Sequence, residues 1–278
     1  MKYIDLHMHS FYSDGIYSPK QLIRAAKLNG LEMVAITDHD NIQGYYEALP
    51  EAKKCNIELV PGVEINTLEH HLLGLNFDPN NQGFVKFVQY SQDTQNVVTE
   101  QRIEKLQDHG VPISLEKVKQ FFPNCTLGKL AITQTMLLDK TCREYLEKKH
   151  KELDLIKILK FYLGKDNGIV AHVEKKGGIH WQEAIEEIHK ANGLAVFAHP
   201  PIKSKNLSEV LDMFEGIDGV EIQPSFYEEG YAPFEKYAKQ NGLFLTYGSD
   251  YHGPFLKGEI LEREDNIIDE TVLGEIKK

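Results

Sequence analysis

Cysteine is scarce in this sequence. The three that occur, Cys55, Cys125 and Cys142, are scattered, odd in number and never in CxxC spacing. That argues against a disulfide framework and against a thiolate-bound metal, and it suits a reducing, cytoplasmic compartment. No apolar run approaches the roughly 20 residues that a membrane-spanning helix needs. The opening MKYIDLHMHS carries no apolar core of a secretory signal. Basic charge is also short: 31 Lys and Arg against 42 Asp and Glu leave a formal net charge of −11. This balance disfavours a broad duplex-binding surface, which needs clustered cations to displace counterions from phosphates. A small anionic substrate is still allowed, because local charge can oppose the global sign where metals are bound. Internal repeats and low-complexity tracts are missing too, and 278 residues suffice for one large domain or two modest ones.

What is present is a β/α rhythm. KYIDLH at 2–7 reads as a strand. Ser18-Pro19 opens a helix that Gly30 follows, with Ser at the N-cap and Pro at the first helical position. MVAIT at 33–37 is a buried strand, 43–55 a helix, IELVPGVEI at 57–65 a strand pair and HLLGLNF at 71–77 another strand. The texture changes near Asp78-Pro79, after which the chain has helical period and few strand runs until about Gly164. The rhythm then resumes with a helix at 181–191, LAVFAH, a helix at 206–214, GVEIQ, a helix at 231–241 and LFLTYGSD. The fold expected is α/β, with a mainly parallel sheet. Residues 1–78 and 176–278 form a barrel-like domain, and 79–175 are a helical insertion.

Histidines and carboxylates gather at the predicted strand ends. His7 and His9, two apart, share a strand face if the strand continues, and Asp14 follows a Ser/Gly loop. His39 ends VAITDH, Glu64 lies in VPGVEI, His71 starts HLLG, His199 ends LAVFAH, and Asp250 with His252 repeats the i, i+2 spacing. In β/α folds the carboxyl ends of the strands build the active site, so these positions should converge. Six histidines and three carboxylates without thiolate suit Mn, Fe or Zn. Nine donors exceed one catalytic metal, which commonly takes three protein ligands, and suffice for two or three if Glu64 bridges. Three divalent ions would leave the site at about +3, able to attract phosphate and to hold a hydroxide that needs no side-chain nucleophile.

DLHMHSFYSDG, ITDHD, PGVEI, HLLG, FAHP and GSDYH together resemble the metal-binding motifs of the polymerase-and-histidinol-phosphatase (PHP) superfamily. Within it the chain is similar to stand-alone 3′,5′-nucleoside bisphosphate phosphatases and 5′→3′ exonucleases of short RNA. The resemblance implies a distorted (β/α)7 barrel with a helical cap and a trinuclear centre. One metal would fall to His7, His9, Glu64 and Asp250, a second to Asp14, His39 and His252, and a third to Glu64, His71 and His199. It further implies a metal-bridging hydroxide as nucleophile, with Asp14 and His39 beside the phosphate, and Arg102 and Lys129 of the insertion as substrate contacts. Relatives commonly show Gly-Arg-Pro-His where this chain reads Gly128-Lys129-Leu130-Ala131. Lys still binds phosphate as a point charge but cannot form the bidentate fork of Arg.

Several residues carry a blander reading beside the functional one. His70 competes with His71 for one position, and the HxxG spacing selects His71. His109, His150, His172, His180 and His189 lack such context, although His172 could face the cap interior. Asp5 and Asp38 flank candidate ligands and either orient a histidine N–H or make ordinary loop hydrogen bonds. Arg102, near Glu100 and Glu104, could belong to a solvated helix face. Lys203, after AHPP, could reach a phosphate, and the Lys-rich run at 148–150 reads as solvated surface. Tyr90, Phe121 and Phe122 are possible base-stacking residues, with core packing the default. Three functions compete: a phosphoesterase acting on a nucleotide or on another small metabolite such as histidinol phosphate, an amidohydrolase, and a non-enzymatic metal-binding module. The amidohydrolase reading lacks a strand-end lysine, and the non-enzymatic one would predict missing ligands.

Overall fold

The computed structural model describes residues 3–164, 167–170, 173, 178–200, 210–211, 215–222 and 232–253. The chain divides into two compact units, residues 1–91 with 179–278 and residues 92–178.

The first unit is a nearly closed barrel of seven strands in sequential order. They are β1 (Ile4–Met8), β2 (Met33–Ile36), β3 (Glu58–Asn66), β4 (His71–Leu75), β5 (Leu194–Phe197), β6 (Gly219–Ile222) and β7 (Phe244–Tyr247). Pairing is parallel except on both sides of β4, which runs antiparallel to β3 and to β5. β1 meets the chain just past β7: the His9 N–H donates to Tyr251 O and the Asp250 N–H to His7 O, each at 2.9 Å. IELVPGVEI is one continuous strand, β3, and not the strand pair its Pro-Gly suggested. Gly62 explains the continuity, since a Cβ there would come within 2.8 Å of the Thr37 side chain and 3.0 Å of Ala35.

Side chains alternate across the barrel wall. Ile4, Leu6, Met33, Ala35, Val60, Leu73, Leu75, Val196 and Ala198 fill the interior. Met8, Val34 and Ile36 pack outward with Leu22 and Ile23 of α1 (Pro19–Leu28) and Ala48 and Ala52 of α2 (Gln43–Cys55). Val63, Ile65, Leu72, Phe197, Val220 and Ile222 pack outward with α8 (Trp181–Lys190). The β1–β2 register slips by one residue between Asp5 and Met8. The slip lets Ile4 and Leu6 face inward and still turns His7 and His9 inward above them. Ser18 caps α1 as expected: its hydroxyl accepts from the Gln21 N–H at 3.2 Å, and Gln21 Oε1 accepts from the Ser18 N–H at 2.8 Å.

The second unit is helical. α3 (Gln82–Asp108) leads into it, followed by α4 (Leu115–Phe121), α5 (Lys129–Leu138), α6 (Lys140–Lys149) and α7 (Leu155–Leu163). Ser114, Asp139 and Asp154 cap α4, α6 and α7 through their side chains. Its own core joins Ile103, Leu106, Val118, Ile132, Met136, Leu146, Ile158 and Tyr162. In the barrel unit α9 (Ala232–Asn241) precedes β7. The helix expected at 206–214 falls largely outside the described residues, and no described helix is long and apolar enough to cross a membrane.

Leu73→Ala should cost about 2–5 kcal/mol in urea unfolding, because the barrel interior cannot collapse around the lost volume. Ser18→Ala should cost about 1 kcal/mol. Equal losses would contradict a packed interior.

Candidate metal centre

All nine histidines and carboxylates singled out above lie at one rim of the barrel. β1 brings His7 inward, and His9 follows it. His39 lies in the loop after β2, bridged to Glu64. Glu64 lies on β3, between the outward Val63 and Ile65. His71 starts β4 instead of ending a strand, and the antiparallel course of β4 brings that start to the same rim. His199 and Asp250 follow β5 and β7 with left-handed backbones, φ 31° and 55°. Asp250 and His252 therefore do not continue a strand's alternation, and they address different neighbours.

Glu64 is the hub. Its Oε1 accepts from His71 Nδ1 at 2.8 Å and His199 Nε2 at 2.9 Å. Its Oε2 lies 3.2 Å from His7 Nε2, 3.2 Å from His9 Nε2 and 3.1 Å from His39 Nδ1. Asp250 Oδ1 is 3.4 Å from His7 Nε2 and 3.2 Å from His9 Nε2. Asp14 faces His9 Nδ1 at 3.5 Å, His39 Nε2 at 3.8 Å and His252 Nε2 at 3.2 Å. Three sets of potential ligands result: His9, Asp14, His39 and His252; His7, His9, Glu64 and Asp250; and His39, Glu64 and His71.

These residues fit divalent metal ions. Asp14 Oδ1, His39 Nδ1 and Glu64 Oε2 are buried without a hydrogen-bond partner among the described residues, a costly state unless a cation is shared. His7 Nε2 and His9 Nε2 lie 3.0 Å apart and point at the same carboxylates. Their far nitrogens are engaged: His7 Nδ1 with Glu221 at 2.7 Å, and His9 Nδ1 with Ser13 Oγ at 3.3 Å. His252 Nδ1 donates to Asp250 O at 2.7 Å, which likewise leaves Nε2 facing the cluster.

The electrostatics reflect the crowding. Burial would raise the Glu64 carboxyl, but His39, His7 and His71 around it hold it well below the usual carboxylate range. For Asp14, burial is likewise outweighed by His252 and His39. Burial would lower His7, yet the Glu221 and Glu64 carboxylates raise it to about 10, so a proton serves there when no cation does. Burial lowers His39 and His71 to about 4, leaving both neutral near pH 7 as metal ligands must be.

Asp38 accepts from the Ser10 N–H at 2.6 Å, the Ser10 hydroxyl at 2.7 Å and the Ser13 hydroxyl at 2.8 Å. It thus reaches His9 through Ser13. Asp5 accepts from the His7 N–H and from both Ser249 donors, at 2.6–3.2 Å. Burial raises its pKa to about 6. Both carboxylates are loop braces behind the ligands. Sequence reasoning missed Glu221, although GVEI at 219–222 repeats the GVEI of 62–65. An isolated carboxylate inside a buried strand must have a partner, and that was the available signal.

The other histidines make ordinary pairs: His109 with Lys105 O, His150 with Tyr162 Oη, His180 with Glu69 and His189 with Asp218. His70 is outside the cluster, its ring against Phe197. His172 and Lys203 lie outside the described residues. Lys148 and Lys149 are exposed. Tyr90 and Phe121 are exposed, at 51% and 40%, against the expectation of core packing, whereas Phe122 packs on the helical core. Arg102 is no solvated face: it is 7% exposed on α3, and its Nη1 has no partner among the described residues. Lys129 is the first residue of α5, and Ala131 is buried behind it.

A seven-stranded barrel with such a rim is the architecture of a metallohydrolase-like α/β protein. The PHP domain family matches residues 5–192, and the chain belongs to it. A curated relative, a 5′-3′ exoribonuclease of Haemophilus influenzae, is 31% identical, with 96% of this chain and 97% of that protein covered. A 3′,5′-nucleoside bisphosphate phosphatase of Chromobacterium violaceum is 27% identical over 91% of this chain and 88% of its own. Among solved structures, a Bifidobacterium adolescentis protein assigned to the metal-dependent phosphoesterases shares the fold with a TM-score of 0.79. It is 23% identical and covers 99% of this chain and 95% of its own.

Asp38→Asn leaves one accepting oxygen for three donors. It should lower stability by about 1–3 kcal/mol for each donor left unpaired, read by chemical unfolding of the metal-free protein. A loss below about 0.5 kcal/mol, the usual range of surface substitutions, would contradict the brace.

Proposed function

We propose that the protein is a metal-dependent phosphoesterase acting on a small nucleotide, such as a 3′,5′-nucleoside bisphosphate, or on a short 5′-phosphorylated single-stranded oligonucleotide. His7, His9, Glu64 and Asp250 would hold one divalent ion, Asp14, His39 and His252 a second, and Glu64, His71 and His199 a third. Manganese, iron and zinc all suit these donors. When bound, such ions supply Lewis acidity, polarising phosphoryl oxygens and allowing water to ionise near neutral pH. Asp14, held ionised by its histidine neighbours, would hold an ion and orient a water by accepting its hydrogen bond. His39, neutral near pH 7, would give its one lone pair to an ion and donate through its other ring nitrogen.

The observation that favours an anionic substrate is Arg102. A buried guanidinium whose Nη1 finds no acceptor among the described residues is costly unless an anion completes it. Burial depresses its pKa to about 10, still a cation at neutral pH. Thr99, one turn earlier on α3, donates to Leu127 O at 2.6 Å, and Leu127 N–H donates to Asn96 Oδ1 at 3.3 Å. α3 is thereby tied to the segment before Lys129, which supports reading Arg102 and Lys129 together as substrate contacts. Lys129 in place of arginine supplies charge with less directional bonding. None of the described strands ends in lysine, which disfavours an amidohydrolase site bridged by that residue. Three scattered cysteines without CxxC spacing suit a reducing, cytoplasmic compartment.

The test, with manganese-loaded protein, is release of phosphate from a 3′,5′-bisphosphonucleotide and from histidinol phosphate, and release of mononucleotides from a 5′-phosphorylated oligoribonucleotide. Turnover of the nucleotides, abolished by chelator and by His9→Ala, is expected. Arg102→Ala should lower kcat/KM by roughly 10–100-fold, the worth of a charge-assisted hydrogen bond. Selective turnover of histidinol phosphate, or of none, would overturn the nucleotide reading.

A further inference from the structure

Glu221 belongs to none of the three ligand sets, yet it is fully buried in the barrel. Its neighbours Val220 and Ile222 pack outward, so the carboxylate points in, across from Thr246 on β7. Oε1 accepts from His7 Nδ1 at 2.7 Å, and Oε2 accepts from the His199 backbone N–H at 2.7 Å. One carboxylate therefore grips two candidate ligands from different strands. His199 is also the residue with the left-handed φ of 31°, so its N–H needs a fixed acceptor to hold that backbone.

A second feature protects the same contact. A Cβ at Gly248 would stand 2.3 Å from Glu221 Oε1 and 2.3 Å from His7 Cβ. Glycine at 248 leaves the space that the Glu221–His7 pair occupies.

We propose that Glu221 is a positioning residue for the metal centre: it holds His7 with the proton on Nδ1 and the Nε2 lone pair toward Glu64 and Asp250, and at the same time it fixes the backbone of His199. The proposal rests on the metal-centre reading above. Only a carboxylate does both tasks, because it accepts through both oxygens. A glutamine offers one carbonyl for two N–H donors. Its amide must then oppose either His199 N–H or His7 Nδ1–H, and the His7 ring escapes by moving its proton to Nε2. That nitrogen lies 3.2 Å from Glu64 Oε2 and 3.4 Å from Asp250 Oδ1, so the lone pair would be lost where a cation must be met.

The test compares wild type, Glu221→Gln and Thr246→Val, the last a buried neighbour across the strand pair that grips no ligand. Zinc affinity is measured by competition with a chelator, and the side chains of zinc-loaded, ¹⁵N-histidine-labelled protein by NMR. In wild type a low-field imidazole N–H from His7 Nδ1 is expected. In Glu221→Gln that signal should vanish and zinc should bind roughly 10–100-fold more weakly, while Thr246→Val keeps both. Affinity within about twofold of wild type in Glu221→Gln, or the same loss in Thr246→Val, overturns the proposal. If Glu221→Gln does not fold, the wild-type spectrum decides: a His7 ring protonated on Nε2 overturns it, and one protonated on Nδ1 supports it. Wild type that takes up no divalent ion removes the metal-centre reading itself, an outcome distinct from a loaded wild type with an indifferent variant.

Discussion

The structure depends on one buried carboxylate surrounded by imidazoles. Glu64 has nitrogens of five histidines within 3.2 Å, two on Oε1 and three on Oε2. No hydrophobic gain offsets burying such a group; it persists because every neighbour is a potential counter-charge or a shared ligand. The demand then spreads outward. Each histidine must present one nitrogen to the carboxylate, so its other nitrogen or its backbone must be held from behind. That task falls to Glu221 for His7 and His199 and to Ser13 and Asp38 for His9, while beside Asp14 the Asp250 carbonyl does the same for His252.

Regular β/α geometry could not deliver these side chains to one point. Strict alternation along β1 would separate His7 and His9 from the interior positions of Ile4 and Leu6, and the register slip removes the conflict. A parallel β4 would carry His71 to the far end of the barrel; reversal carries it to Glu64. The left-handed backbone at His199 turns the chain where an extended strand, with Val196 and Ala198 facing in, would aim that side chain outward. Irregularity of this kind costs backbone energy, and it concentrates where ligands must converge.

That pattern also explains what could be read from the sequence. The strands, most helices and the capped start of α1 follow from periodicity and from Ser18-Pro19, because local preference and tertiary packing agree there. The nine rim residues were legible because histidines and carboxylates beside apolar runs have few other reasons to cluster. The unity of β3 was not, since Pro61-Gly62 imitates a turn, and only the close packing against Thr37 and Ala35 shows why glycine is required. Nor was the direction of β4, which local pattern leaves undetermined. Nor was Glu221, a lone carboxylate within an apolar strand and outside any strand-end motif, although its GVEI repeats that of Glu64. Arg102 read as ambiguous because glutamates nearby in sequence suggest solvent, whereas its burial is decided by the helical core packed around α3.

Charge sets the final constraint. The chain is acidic, and three of its carboxylates, Asp14, Glu64 and Asp250, lie at the rim where a phosphate would have to approach. Neutral histidines, such as His39 and His71 near pH 7, do not offset them, and the protonated His7 is buried behind Glu64 and Asp250. Without bound cations this rim repels anions. Divalent ions invert the local sign, because each brings more charge than the carboxylate it shares. Metal loading and phosphate affinity are then two expressions of one electrostatic condition. On the proposal above, the residues that fix ligand orientation, Glu221 among them, would act on both while touching neither substrate nor metal.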